Sequence, residues 1–193
     1  MAGADLHGQD LSKRKLQAEN LNGADLHDAD LSFTILAKAK LHGANLSGAN
    51  LRGTSFRDAD LADAGLREAQ TRGTDFHNAK LTGANLMGLT LDLAGSAASM
   101  EALAGWPSDA KYTLQSVGGL GGLDSGYLSL RGANLKNAKI SGNLKGVDLL
   151  RADLRGANLL DTDNLSEAFL KDAIYDADTS WKIDPVAVVT VKR

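Results

Sequence analysis

A leucine returns every fifth residue from Leu6 to Leu91. In that register stand 18 positions, of which 15 are Leu, two are Phe (Phe56, Phe76) and one is Thr71. Two residues before most of them stands a small side chain, and from Ala24 to Ala84 that place is Ala or Thr all 13 times. An α-helix turns about 100° per residue, so a step of five leaves successive leucines roughly 140° apart and gives no apolar stripe. A flat strand would send alternate leucines to opposite faces. Only a chain that turns a corner once per repeat keeps them all inside. Each five-residue unit is then one short side of a polygonal coil, with coils stacked about 4.8 Å apart through strand-type hydrogen bonds.

The runs Ala24-Asp25-Leu26, Gly43-Ala44-Asn45-Leu46, Gly48-Ala49-Asn50-Leu51 and Gly83-Ala84-Asn85-Leu86 resemble the A(D/N)LXX motif of pentapeptide-repeat proteins. The resemblance covers about seven-tenths of the chain. It implies an all-β fold, a right-handed parallel β-helix with four sides, so that residues 20 apart stack. The polygon argument alone leaves three sides and four open. Four sides predict inner columns of Leu6, Leu26, Leu46, Leu66 and Leu86; of Leu11, Leu31, Leu51, Thr71 and Leu91; of Leu16, Leu36, Phe56 and Phe76; and of Leu21, Leu41, Leu61 and Leu81. On this count the two phenylalanines become neighbours, and Thr34, Thr54 and Thr74 line up beside them. That clustering independently supports the 20-residue coil.

The chain divides into a first array (1–93), an insertion (94–127), a second array of the same solenoid (128–180) and a C-terminal cap or tail (181–193). Both arrays together make about seven coils, roughly 34 Å long at strand spacing. Residues 1–20 form a ragged first coil, with Gln9, Arg14 and Glu19 where small residues stand elsewhere. An uncovered coil end is an exposed strand edge, which frays or pairs with a second molecule. Glycine two places after the leucine (Gly23, Gly43, Gly48, Gly53, Gly73, Gly83, Gly88) suits a corner of unusual backbone angles. In the insertion, residues 96–104 read as a short helix capped by Ser96 or Ser99 and ended by Gly105, Trp106 and Pro107. Gly118 to Gly122 read as loop. The insertion is read as a protruding loop or a flap, with Trp106 covering an apolar side. In the second array one residue is deleted near Gly142–Gly146 and one inserted before Leu165, with Leu170 and Tyr175 continuing the count. The end of the chain, from Tyr175 through Asp178, Thr179, Trp181 and Pro185, resembles the closing segment of many family members, with Trp181 over the last coil. Val186 to Val191 read as a final strand or an apolar tail.

The formal net charge is −3, with 10 basic against 12 acidic residues through residue 93 and 11 against 12 thereafter. Neither a broad basic nucleic-acid surface nor a strongly acidic mimic of DNA fits that balance. There is no cysteine, hence no disulfide and no thiolate metal site. No apolar run is long enough to span a bilayer. The chain is expected to be soluble and cytoplasmic, with a removed leader left open.

All four histidines fall just after the inner residue and point outward. His7 and His27 stack on one side beside Asp28, His42 lies on another side and His77 on the opposite one. The solvated ladder explains these places without a metal. Asp5 over Asp25 and Asp10 over Asp30 are read as corner residues on a convex surface rather than as a catalytic acid–base pair. Arg52 over Arg72, with Arg57 and Arg67 on adjoining sides, interleaves with Asp58, Asp60, Asp63 and Glu68 as a mixed-charge face. No phosphate loop, nucleophile–base pattern or zinc spacing is present. The expectation is therefore no catalytic, cofactor-binding or metal-binding residue and no enzyme. The chain reads as a scaffold or protein–protein interaction module for an unknown protein partner, able to dimerise through an exposed coil end. The second reading, implied by the resemblance, is a DNA mimic that binds a type II topoisomerase such as DNA gyrase and protects or inhibits it.

Overall fold

The computed structural model describes residues 1–88 and 128–182. The reading of residues 96–107 as helix, the Gly118–Gly122 loop, Leu91 and the Val186–Val191 strand therefore lie outside the described residues. Within them the backbone winds as a four-sided coil. Asp5 pairs in parallel with Asp25, Asp10 with Asp30, Lys15 with Ile35 and Asn20 with Lys40, and each column continues at 20-residue steps. Sides one to four are named here by their first inner residues, Leu6, Leu11, Leu16 and Leu21.

Two of every five residues turn the corner, so most sides carry a single ladder pair rather than a strand. Among the described residues extended pairing appears only as the parallel sheet β1 (Asn85–Leu86), β2 (Lys139–Asn143), β3 (Asn158–Asp163) and β4 (Ser180–Trp181), in that order, which lies on side one and in β2 and β3 runs on to the start of side two. Each corner needs a left-handed residue two places after the inner one. Glycine meets that need at Gly23, Gly43 and Gly83, but Asp28, Phe33 and Lys38 adopt the same positive φ (55°, 57° and 60°). The corner geometry thus overrides the usual preference for glycine, at a local cost of about 1–2 kcal/mol for each such residue.

The repeat 25–29 shows how a five-residue side satisfies its backbone. Asp25 N–H donates to Ala4 O on the preceding coil, while Leu26 and Asp28 N–H donate to Asn45 O and Ser47 O on the next. Ala29 N–H closes the turn onto Leu26 O. The fifth donor, His27 N–H, is accepted by the side chain of Asp25, whose Oδ1 lies 3.1 Å away. This is why the motif asks for Asp or Asn at that place: a short acceptor there caps a donor that no carbonyl reaches.

Inside, the columns are dry. Leu21, Leu26, Leu31 and their successors are fully buried, with Ala24, Ala29 and Ala44 between them. Phe56 and Phe76 are fully buried and stack with ring centroids 5.0 Å apart and planes within 3°, the separation that the coil rise imposes. Thr34, Thr54 and Thr74 are also buried. Their hydroxyls donate to Leu11 O, Leu31 O and Leu51 O at 2.7, 2.7 and 2.8 Å. The three threonines therefore clip one corner of each coil to the coil before it. Thr179 makes the same bond to Leu154 O at 3.0 Å.

Thr71 differs from those three. It occupies an inner leucine place and is buried, and its Oγ1 has no hydrogen-bond partner among the described residues. A buried hydroxyl without a partner costs about 1–3 kcal/mol. Thr71→Val keeps the shape and removes that cost, so the urea midpoint should rise, with a gain of about 1–2 kcal/mol.

The second array stacks on the first in phase. Asp75 pairs with Ser129, Lys80 with Asn134 and Asn85 with Lys139. The next coil is one residue short, Ser129 pairing with Asp148, and the one after is one longer, Asp148 pairing with Phe169. The deletion falls between Ile140 and Leu144, both buried. The insertion is taken up in β3 and in a 3-10 turn at Leu165–Glu167. Tyr175 continues the count, since Ile174 pairs with Asp153, but in this last coil it is 38% exposed. A further residue enters the last coil, since Asn158 pairs with Ser180, and Tyr175 instead meets Trp181 edge-on at 5.4 Å. Trp181 pairs in register with Leu159 and packs on the core, covering side one of the final coil.

Candidate interaction surface

The outer walls carry the residues just before and just after each inner one. The structure places the histidines as the spacing requires. His7 and His27 stack at 5.2 Å with planes 13° apart, and His27 Nε2 lies 3.3 Å from Asp28. His42 Nδ1 is 3.8 Å from Asp63 on side four. His77, on side three, is held below its ordinary range first by burial and then by the Arg57 charge. No group of three or more His, Cys, Asp or Glu able to hold a metal ion occurs among the described residues.

Asp10 and Asp25 are corner caps: Asp10 Oδ1 accepts from Ser12 N–H at 2.9 Å, as Asp25 does from His27. The Ser12 hydrogen bonds also lower the Asp10 pKa. Among the described residues Arg57 pairs with Asp75 at 3.0 Å, the most enclosed ion pair of the wall. Lys80 meets Asp60 at 3.3 Å and Arg67 meets Glu68 at 3.0 Å. Exposed pairs of this kind contribute little to stability and mainly fix a charge pattern.

Sequence reasoning passed over a cluster on side four. Arg155 holds Asp153 with two hydrogen bonds of 2.9 and 2.7 Å, and Lys136 approaches to 3.4 Å. The Arg155 bonds hold the Asp153 carboxyl down to about 2, against an ordinary 3.8. Beside it Lys136, Asn137, Arg155, Gly156, Asp176 and Asp178 line a shallow depression of ≈ 270 Å³. Asp176 there accepts from Gly156 N–H at 3.0 Å, the main cause of its own lowered pKa. The 19- and 21-residue steps from Asn134 to Asp153 and from Asp153 to Ile174 stack these residues on side four, and the uneven spacing after Ile140 is the signal that marks the region.

Because the folded pKa of Asp153 lies below its unfolded value, its contribution is complete above about pH 4 and disappears as pH falls through 2. A depression of this size corresponds to at most about 2 kcal/mol. Between pH 4 and 2 the wild type should lose about 1–2 kcal/mol more than Asp153→Asn, measured by urea unfolding at each pH.

Apolar groups also reach the outer wall near the last coils: Leu160, Phe169 and Ile174 are each about half exposed (49%, 49% and 51%). Phe169 stands where earlier coils place Lys, Ile, Ser or Asp, and Ile174 where they place Asn, Lys or Asp.

The pentapeptide-repeat family pattern matches this chain in 8 copies, over residues 20–58, 59–94 and 129–174. The chain belongs to the pentapeptide-repeat family. The four-sided stacking described above is the right-handed β-helix of that family, and this member is a repeat scaffold with no metal-holding cluster among its described residues. No functionally curated protein matches it. Among solved structures it is similar to alr5209, a pentapeptide-repeat protein from Nostoc Pcc 7120, with 38% identity, 42% of this chain and 67% of the other covered, and a TM-score of 0.41. It is also similar to HetL from Nostoc sp. strain PCC 7120, a pentapeptide-repeat protein involved in heterocyst differentiation regulation. There the identity is 21%, the coverage 89% and 87%, and the TM-score 0.33. A third likeness is to QnrB1, a plasmid-mediated fluoroquinolone resistance protein, at 15% identity, 91% of each chain and a TM-score of 0.40. Among the described residues no helix of this pentapeptide-repeat protein is long and apolar enough to cross a membrane.

Proposed function

We propose that this protein is a non-catalytic scaffold whose outer walls bind another protein. One observation carries the reading: outward side chains recur at the coil spacing, held by corner caps and neighbouring charges on a convex surface. Such an array suits extended contact with a protein surface better than enclosure of a small substrate. The test is affinity capture from the native cell with the full chain and with residues 96–126 deleted. Capture of the same partner by both would assign the contact to the solenoid wall. Loss of capture on deletion would move it to the insertion.

DNA gyrase is the second partner considered. The near balance of acid and base in both halves weighs against a mimic of DNA, because such a mimic needs a concentrated negative surface. A supercoiling assay in which the protein neither inhibits nor protects gyrase would remove this reading. Pairing of two copies through an exposed coil end is checked by light scattering, where a monomer at high concentration would remove it.

A further inference from the structure

On side one the residues before the inner leucines read Asp25, Asn45, Gly65 and Asn85. Asp25 Oδ1 there accepts two hydrogen bonds, from His27 N–H at 3.1 Å and from Asn45 Nδ2, one coil on, at 3.1 Å. Gly65 has no side chain to repeat this. Arg67 N–H, the counterpart of His27 N–H, has no acceptor among the described residues. Asn85 keeps the capping geometry of Asn45, its Oδ1 accepting from Met87 N–H at 3.2 Å. By analogy with Asn45, whose Nδ2 reaches Asp25 one coil back, the Asn85 Nδ2 is placed over Gly65, where no carboxylate stands. Two donors therefore converge on one notch in an otherwise continuous ladder. Lys139, in register beyond Asn85, adds positive charge on the same wall, while the Arg67 guanidinium is paired with Glu68 at 3.0 Å.

We infer that the Gly65 notch is a carboxylate socket, filled by an Asp or Glu side chain of the partner protein. One carboxylate oxygen would take the place that Asp25 Oδ1 holds two coils earlier, accepting from Arg67 N–H and Asn85 Nδ2. Hydrogen bonds to an ionised acceptor are stronger than neutral ones, so the socket fixes where along the wall an acidic group docks. This deepens the reading of the walls as a protein-binding surface, but its test needs no partner.

The notch can be filled from within. Gly65 is not in the left-handed region, and a Cβ there would meet only Ser47 Oγ at 3.6 Å and Asn45 Oδ1 at 3.7 Å, ordinary contacts. Gly65→Asp should melt about 2–4 °C above Gly65→Ala, the shift expected for one added hydrogen-bonded cap in a chain of this size. In ¹⁵N–¹H spectra of the wild type, a capped Ala-Asp-Ala peptide should move the Arg67 backbone and Asn85 side-chain amides in a saturable way. Ala-Asn-Ala at the same ionic strength should not move them, and Gly65→Asp should abolish the response. Sodium acetate serves as the free-carboxylate arm and should shift the same two amides more weakly than the aspartyl peptide. The inference is overturned by equal responses to the two peptides, by no response, by acetate matching the aspartyl peptide, or by Gly65→Asp melting no higher than Gly65→Ala. Failure of these tests leaves capture of a partner by the walls unaffected, and failure of capture leaves the socket measurable.

Discussion

Phe56→Ala should cost about 3–5 kcal/mol, the range for deleting a fully buried aromatic ring. The ring is enclosed in the axis and lies face to face with Phe76 at 5.0 Å. The substitution therefore removes packing and opens a cavity between two coils that cannot collapse, because their spacing is fixed by ladders on four sides. Phe76→Ala should cost a similar amount. The double variant should lose less than the sum, by about 0.5–1.5 kcal/mol, because the stack can be broken only once. Urea unfolding of the three variants measures the difference. Additive losses would mean that the rings contribute only by burial.

The triple substitution of Thr34, Thr54 and Thr74 by valine should cost about 2–4 kcal/mol. Valine matches threonine in shape, so the effect isolates three buried hydroxyl donors, each with a net contribution of about 0.5–1.5 kcal/mol. Leu31 O and Leu51 O each keep a bond from the turn, from Thr34 N–H and Thr54 N–H, and lose the second. The same change at Thr71 should act in the opposite direction. The contrast tests whether the hydroxyl partner, rather than the residue type, decides the sign. Equal shifts at Thr54 and Thr71 in urea would refute the clip.

The spacing of the inner residues made the architecture legible. Phe56 over Phe76 and Thr34, Thr54 and Thr74 in one column require a 20-residue coil, and the ladder pairs have that period. The purpose of the threonines was not legible, because a hydroxyl reaching the carbonyl 23 residues back leaves no local mark. Nor was the role of Asp25 and its equivalents: the pattern shows the residue type but not which N–H lacks a partner. Tyr175 continues the count, Ile174 pairing with Asp153, but its exposure was not legible, because the count does not show which coil is the last to be covered. Gly65 stood in plain view as Ala64-Gly65-Leu66, a departure from the motif whose meaning appears only when Arg67 N–H and Asn85 are placed around it. The pairing of Arg57 with Asp75 was likewise hidden, because their 18-residue separation brings them together only after the coil has closed.

The step from Asp75 to Ser129 spans 54 residues but advances the coil by the rise that 20 residues provide elsewhere. The described coils on either side therefore keep one phase, and Gly88 and Leu128 bracket a position where the number of intervening residues does not change the register. Such a position is a natural port for grafted sequence. A peptide epitope or a small folded domain exchanged for residues 96–126 would be carried at a fixed height along the column while the coils on either side kept their register.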